Sequence, residues 1–147
     1  MKIFYDHKIF YKQVRGGPSR LFLSLAKNLL QYDCNIKIYA PFHFNEFLNQ
    51  FSKHHSDIVE GKYIKNRIKY SSKIIGLINS FLSKNKIKKE TPDIYHSTYY
   101  GNSLTNLKKI PLVITVHDLI HELLLKNKGI KGLDDKSKII HKADQII

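Results

Sequence analysis

The sequence predicts an α/β fold on a mainly parallel, doubly wound sheet, and three observations carry that expectation. Short apolar runs recur at residues 3–5, 36–40, 94–95 and 112–116. Segments with helical apolar spacing separate the first three of them, the pattern of strand, helix and returning parallel strand. Three of the runs end abruptly in polar groups: Asp6-His7, His96-Ser97-Thr98 and His117-Asp118. Residues 112–116 lack the alternation of a half-exposed strand and so read as buried on both faces. Pro111 suits the first position of such a strand, where no ladder hydrogen bond is lost.

Taken in order, residues 3–5 read as a buried first strand and residues 8–17 as a loop finishing in Gly16-Gly17-Pro18-Ser19. Pro18 fits the first turn of a helix, whose N–H groups are unpaired anyway. Phe22, Leu25, Ala26 and Leu29 follow at helical spacing, widened by Leu21 and Leu30, and the helix is expected to stop near Tyr32-Asp33. Residues 36–40 form a second strand halted by Pro41, completing a right-handed βαβ unit. Residues 44–51 suit a short helix with Phe44, Phe47, Leu48 and Phe51 on one face, and residues 57–59 a small strand. Residues 62–89 carry nine basic residues and no acidic one, and Ile74, Ile75, Ile78, Phe81 and Leu82 mark a helical stripe there. Thr91-Pro92-Asp93 breaks that helix before the strand at 94–95. Residues 99–102 are loop, and a polar stretch at 126–132 leads to a short helix through Ile139-Ile140. Gln145-Ile146-Ile147 reads as the opening of another buried strand, so the sequence is expected to be a fragment of a longer protein.

The 147 residues suit one domain with a real core. A 42% hydrophobic and 12% aromatic content excludes a disordered tail. No apolar run is long enough to span a bilayer. Met1-Lys-Ile-Phe-Tyr-Asp6 reaches an acid too early for a signal peptide. The single cysteine, Cys34, reads as a buried structural thiol, and the whole fits a cytoplasmic protein. Net charge is +13, from 25 basic and 12 acidic residues. That balance suits an anionic membrane or nucleic acid, or simply a surface of solvated lysines. Only three residues are arginine, which disfavours bidentate recognition of phosphate or bases. Neither an RNA-binding aromatic signature nor a helix-turn-helix pattern is present.

If the sheet is parallel, the three polar strand ends share one edge beside the Gly16-Gly17 loop. Ligands bind at that edge in open α/β sheets. The glycines allow close backbone approach and positive φ, and the helix after them offers N–H groups to an anion. Tyr99 and Tyr100 offer flat faces to a sugar or a lipid headgroup, or pack as ordinary loop residues. Other named motifs fail: there is no GxxxxGK[ST], no GxGxxG and no Asp-x-Asp. His117, His121 and Glu122 do not match HExxH, although a metal pair on that turn is conceivable.

The segments Met1 to Phe10, Gly16-Gly-Pro-Ser-Arg20, Pro92-Asp-Ile-Tyr-His-Ser-Thr-Tyr-Tyr100, Thr115-Val-His-Asp118 and Ala143-Asp-Gln-Ile-Ile147 occur in order. Together they resemble the amino-terminal half of retaining glycosyltransferases of family 4. The resemblance implies a GT-B fold: two Rossmann-like domains facing across a cleft, the amino-terminal one on the acceptor side. It implies transfer of a hexose from UDP- or GDP-sugar, with retention and without an obligatory metal or other cofactor, to a glycan or lipid-linked acceptor. By carry-over, Gly16 and Gly17 approach the donor diphosphate, His117 contacts the transferred sugar, and Asp118 holds that loop. Arg20 is a further anion-binding candidate, and His7, His96, Tyr99 and Tyr100 face the acceptor. The expected carboxy-terminal domain, with its basic residues and Glu-x7-Glu element, is not in this sequence, and Pro18 departs from the family's usual glycine loop. Residues 1–147 are therefore expected to be the acceptor-side domain, inactive alone. The rival expectation is a non-catalytic basic module. It would dock an anionic membrane through residues 62–89, at the inner face of the plasma membrane, or bind nucleic acid.

Overall fold

The computed structural model describes residues 1–66, 71–101, 110–117 and 133–147. Six strands form one all-parallel sheet: β1 (Lys2–Tyr5), β2 (Asn35–His43), β3 (Val59–Tyr63), β4 (Ile94–Ser97), β5 (Leu112–Ile114) and β6 (Gln145–Ile146). Their order is β3-β2-β1-β4-β5-β6. The described helices are α1 (Lys8–Lys12), α2 (Gly17–Leu30), α3 (Glu46–Ser52), α4 (Ser71–Glu90) and α5 (Leu133–Ile140).

The sheet is covered on both faces, which is why its central strands are apolar throughout. Side chains alternate across a strand. Ile3 and Tyr5 of β1 therefore join Ile9, Phe10, Phe22, Ala26, Ile36, Ile38 and Leu48 on the face of α1, α2 and α3. Phe4 points the other way, into a second cluster with Ile87 of α4, Tyr95, Leu112, Ile114 and Ile139 of α5. The α/β, doubly wound architecture expected from the sequence is the one observed.

Several local expectations are corrected. The segment after β1 is not all loop: residues 8–12 coil into α1, because Ile9 and Phe10 are drawn fully into the core. Pro41 does not halt β2, which continues to His43. The β2–β3 register shifts between Ala40 and Phe42, so the missing proline N–H falls at an irregularity. Gly61 of β3 is pressed there against the Ala40 carbonyl. Residues 57–59 give way to a strand from Val59 to Tyr63. In α2 it is Leu23 that turns inward, while Leu21 is 48% exposed. Cys34 is half-buried rather than sealed in the core. Of the final run, Gln145 and Ile146 do form a strand against β5, but as an exposed edge, with Ile146 at 47% exposure and Ile147 beyond it at 65%. In β5 Leu112 and Ile114 are buried but Val113 only half so. The polar stretch at 126–132 lies outside the described residues.

Candidate functional site

The carboxyl ends of β1, β4 and β5 lie side by side, since β4 pairs with both its neighbours in parallel. The order winds outward to β2 and β3 on one side of β1, and to β5 and β6 on the other side of β4. Between β1 and β4 the winding reverses, leaving a crevice beyond the strand ends.

Asp6 sits at the root of that crevice and is fully buried. Its carboxylate accepts the N–H groups of Thr98 at 3.1 Å and Lys8 at 3.2 Å. It also accepts the hydroxyls of Thr98 at 2.6 Å and Ser97 at 3.3 Å, and that of Tyr95. The Lys8 ammonium, on a side chain 4% exposed, lies 3.3 Å from Asp6. From there it donates to Ser97 Oγ at 2.9 Å and to the Gly101 carbonyl at 3.0 Å. A buried charge persists only when paired and hydrogen-bonded, and both of these are. Burial alone pushes the Asp6 carboxyl upward. Lys8, His7 and the hydroxyls of Thr98 and Tyr95 overcome that and hold it at about 2. The Tyr95 phenol is driven well above its ordinary value by burial and then by Asp6, so it remains a donor. This hub fixes the loop that leaves β4.

Two imidazoles flank the crevice. His96 is buried, with Nε2 2.9 Å from Thr115 Oγ1 and its ring 5.2 Å from both Tyr5 and Phe22. Burial lowers its pKa to about 4, with Asp6 opposing and His117 assisting. His117, half-buried at the end of β5, donates its backbone N–H to Tyr100 Oη at 3.2 Å. Phe22 of α2 meets both histidine rings nearly at right angles, His96 at 80° and His117 at 85°. One aromatic thus keys the helix that follows the glycines to both strand ends. The Tyr99 and Tyr100 rings lie 4.9 Å apart, with the Lys12 ammonium 4.4 Å from the first centroid and that of Lys136 4.9 Å from the second.

The glycine loop works differently from the sequence expectation. Gly16 has extended backbone at φ 176° and Gly17 opens α2, so neither uses positive φ. What Gly17 supplies is space: a Cβ there would meet nothing within 4 Å. The Gly16 carbonyl closes the first turn by accepting Ser19 Oγ at 2.9 Å and the Arg20 N–H at 3.2 Å. Arg20 is exposed, its guanidinium 5.5 Å from the Phe47 ring centroid on α3.

Residues 15–147 match the profile of the family described as Glycosyltransferase Family 4. The chain belongs to glycosyltransferase family 4. The crystal structure of MurG from Acinetobacter baumannii shares the fold, with a TM-score of 0.57 at 15% identity. The match covers 99% of this chain but 39% of that one, so the chain spans about two fifths of MurG's length. Among curated proteins no match is found.

Within this family 4 domain, His96, His117, Tyr99 and Tyr100 are gathered by the contacts of Phe22 and Tyr100, and Phe22 lies on the helix that Gly17 opens. His7 lies apart from them, buried against α4, with Nδ1 2.8 Å from Ser83 Oγ and its ring 5.5 Å from that of Tyr11. Burial brings its pKa down to about 4, Lys8 assisting and Asp6 opposing. Asp118, His121 and Glu122 lie outside the described residues, and so does most of the conceivable metal turn. Among the described residues no three His, Cys, Asp or Glu side chains gather as a metal site. Sequence reasoning misses Lys8 and Phe22 and does not single out Asp6 as a hub. It places Lys8 in a loop, and the one signal against that is the Ile9-Phe10 pair that pulls the segment inward.

Proposed function

We propose that this domain is the acceptor-side half of an enzyme that moves a hexose from a UDP- or GDP-sugar to a glycan or lipid-linked acceptor with retention. The observation that carries the proposal is the placement of Phe22 against His96 and His117, which ties the helix opened by Gly17 to two strand ends. Gly16 and Gly17 let the donor diphosphate approach the start of α2, where N–H groups and the helix dipole favour an anion. Arg20 adds positive charge on the same turn. His117 donates a hydrogen bond to the transferred sugar as charge develops there, and Asp118 holds the loop beyond it. Tyr99 and Tyr100 present apolar faces with polar tips to the acceptor, with His96 on the same strand end, while His7, held by Ser83 of α4, stands apart from this group. No metal or other cofactor takes part. A carboxy-terminal domain supplies most of the donor site, so the chain alone binds without transferring. The enzyme works in the cytoplasm on polysaccharide or glycolipid synthesis, and nucleic acid is not a partner. Among the described residues no helix is long and apolar enough to cross a membrane.

The test is amide chemical-shift mapping of the ¹⁵N-labelled chain with UDP-glucose, GDP-mannose and octyl β-glucoside. Shifts are expected at Gly16, Gly17, Tyr99, Tyr100 and His117. Shifts confined to β3, α3 or the outer face of α4 contradict the assignment.

A further inference from the structure

Gln13 is folded onto the glycine loop. It closes α1, its N–H donating to the Ile9 carbonyl at 3.0 Å and its backbone extended at φ −117°. The segment that it opens is pinned to the start of α3. Asn45 Nδ2 donates to the Gln13 carbonyl at 2.9 Å, and the Glu46 N–H to the Val14 carbonyl at 2.9 Å. The Arg15 guanidinium donates twice to Glu46 Oε2, at 2.6 and 2.8 Å. Asn45 is itself fully buried and caps α3 by accepting the Leu48 N–H. From this fixed backbone the Gln13 side chain lies against Gly16. A Cβ at Gly16 would run into Oε1 and stand 2.7 Å from Cδ and 3.2 Å from Nε2. The Gly16 backbone is extended, a conformation open to any residue, so what glycine supplies there is the room that the Gln13 amide fills.

The amide is placed but not satisfied. Gln13 Oε1 is buried and accepts no hydrogen bond from any described residue. Folded proteins leave few buried acceptors in that state, and those they leave call for a specific explanation. The preceding residue reaches the other way, the Lys12 ammonium lying 4.4 Å from the Tyr99 ring centroid. Consecutive residues at the end of α1 thus touch the tyrosine pair and the glycine loop. A carboxamide accepts at Oε1 and donates from Nε2, which matches two adjacent hydroxyls, each able to do either. It carries no charge, so it suits the neutral part of a sugar more than a diphosphate.

We propose that Gln13 binds a hexose through two adjacent hydroxyls, Oε1 accepting from one and Nε2 donating to the other. Gly16 serves that contact by making room for the amide. The hydroxyls belong to the donor hexose or to the acceptor, two sources with one chemistry. This assignment rests on the transfer reading of the same sheet edge, and it adds to that reading a residue and the group it recognises.

The experiment follows the Gln13 side-chain amide resonances of the ¹⁵N-labelled chain during titration with octyl β-glucoside, UDP-glucose and UDP. A sugar probe is expected to move them, and UDP alone is not. Two neutral hydrogen bonds are together worth about tenfold, so Q13A should weaken sugar binding by about that factor and leave UDP unchanged. G16A displaces the flexible end of the same side chain and should give a similar loss, with wild-type circular dichroism. In the Q13A background G16A should cost the sugar nothing further, because no amide is left to displace. A loss seen with octyl β-glucoside assigns the hydroxyls to the acceptor. A loss of the affinity that UDP-glucose gains over UDP assigns them to the donor. The proposal is overturned if Q13A binds both sugar probes like wild type, if it loses UDP equally, or if the two substitutions are additive. Probes that shift Gly17 and His117 but not Gln13 would sink this inference alone. Probes that shift no residue at the strand ends would remove the transfer reading with it.

Discussion

Replacing Lys8 by methionine keeps most of the side-chain volume and removes the buried cation. The Asp6–Lys8 pair is 3.3 Å apart, with the side chains 0% and 4% exposed, so water cannot stand in for either partner. Breaking such a pair from one side leaves an uncompensated buried charge and costs about 3–5 kcal/mol. That is a large part of a domain's usual stability of about 5–15 kcal/mol. Asp6→Asn strands Lys8 in the same way and should cost a similar amount. The double variant removes both charges, while the introduced amide carbonyl still accepts from Thr98. It should therefore be more stable than the sum of the single costs implies, by about 2–3 kcal/mol. Urea unfolding at pH 7, followed by far-UV circular dichroism on all four proteins, measures the cycle. Additive costs, or a Lys8→Met penalty below about 1 kcal/mol, would refute the sealed pair and with it the rigid root of the crevice.

Acid should act through the buried imidazoles. His7, His43 and His96 each have a folded pKa of about 4, lowered chiefly by burial, so the unfolded chain binds more protons below its ordinary value near 6.5. Their stabilisation is complete above pH 6.5 and is lost as pH falls toward 4, at up to about 1.4 kcal/mol per pH unit for each histidine. Asp6 stays ionised through that window, so a urea midpoint that is flat from pH 7 to 5 would contradict the account. Gly61→Ala drives a Cβ into the Ala40 carbonyl oxygen, a backbone atom that cannot swing aside, and should cost more than about 2 kcal/mol in thermal unfolding. Gly17→Ala, with open space around it, should leave unfolding within about 0.5 kcal/mol of wild type while weakening nucleotide-sugar binding. Asn79→Leu strips both side-chain hydrogen bonds from Phe42 and should destabilise by about 2–4 kcal/mol, read by the same urea titration.

The sheet is legible because apolar runs such as Ile3-Phe4-Tyr5 and Leu112-Val113-Ile114 serve two faces at once, leaving little choice but a covered parallel sheet. The candidate site is legible in part, since strand ends at His96 and His117 fall on one edge in any such sheet. What fails is local. Pro41 looks like a stop because its missing N–H matters only where a ladder bond is required, and the bulge at Ala40 removes that requirement. Lys8 reads as a loop residue because composition does not show that Asp6, Ser97 and Gly101 surround it. The stripe on α4 reads correctly as a helical face, but its direction is set by Asn79 and Ser83 finding partners on β2 and beyond β1. Periodicity identifies a face; long-range polar contacts decide which way it points.

The central claim is tested most directly by hexose transfer from radiolabelled UDP-glucose and GDP-mannose into a lipid and glycan extract. It should be measured on the full-length protein, on its His117→Ala variant and on the 147-residue chain alone. The account predicts transfer by the full-length protein and a loss of about 100-fold or more in the variant with unchanged circular dichroism. It predicts no transfer by the isolated chain. Transfer by the variant at the wild-type rate, or by the isolated chain unaided, would contradict it.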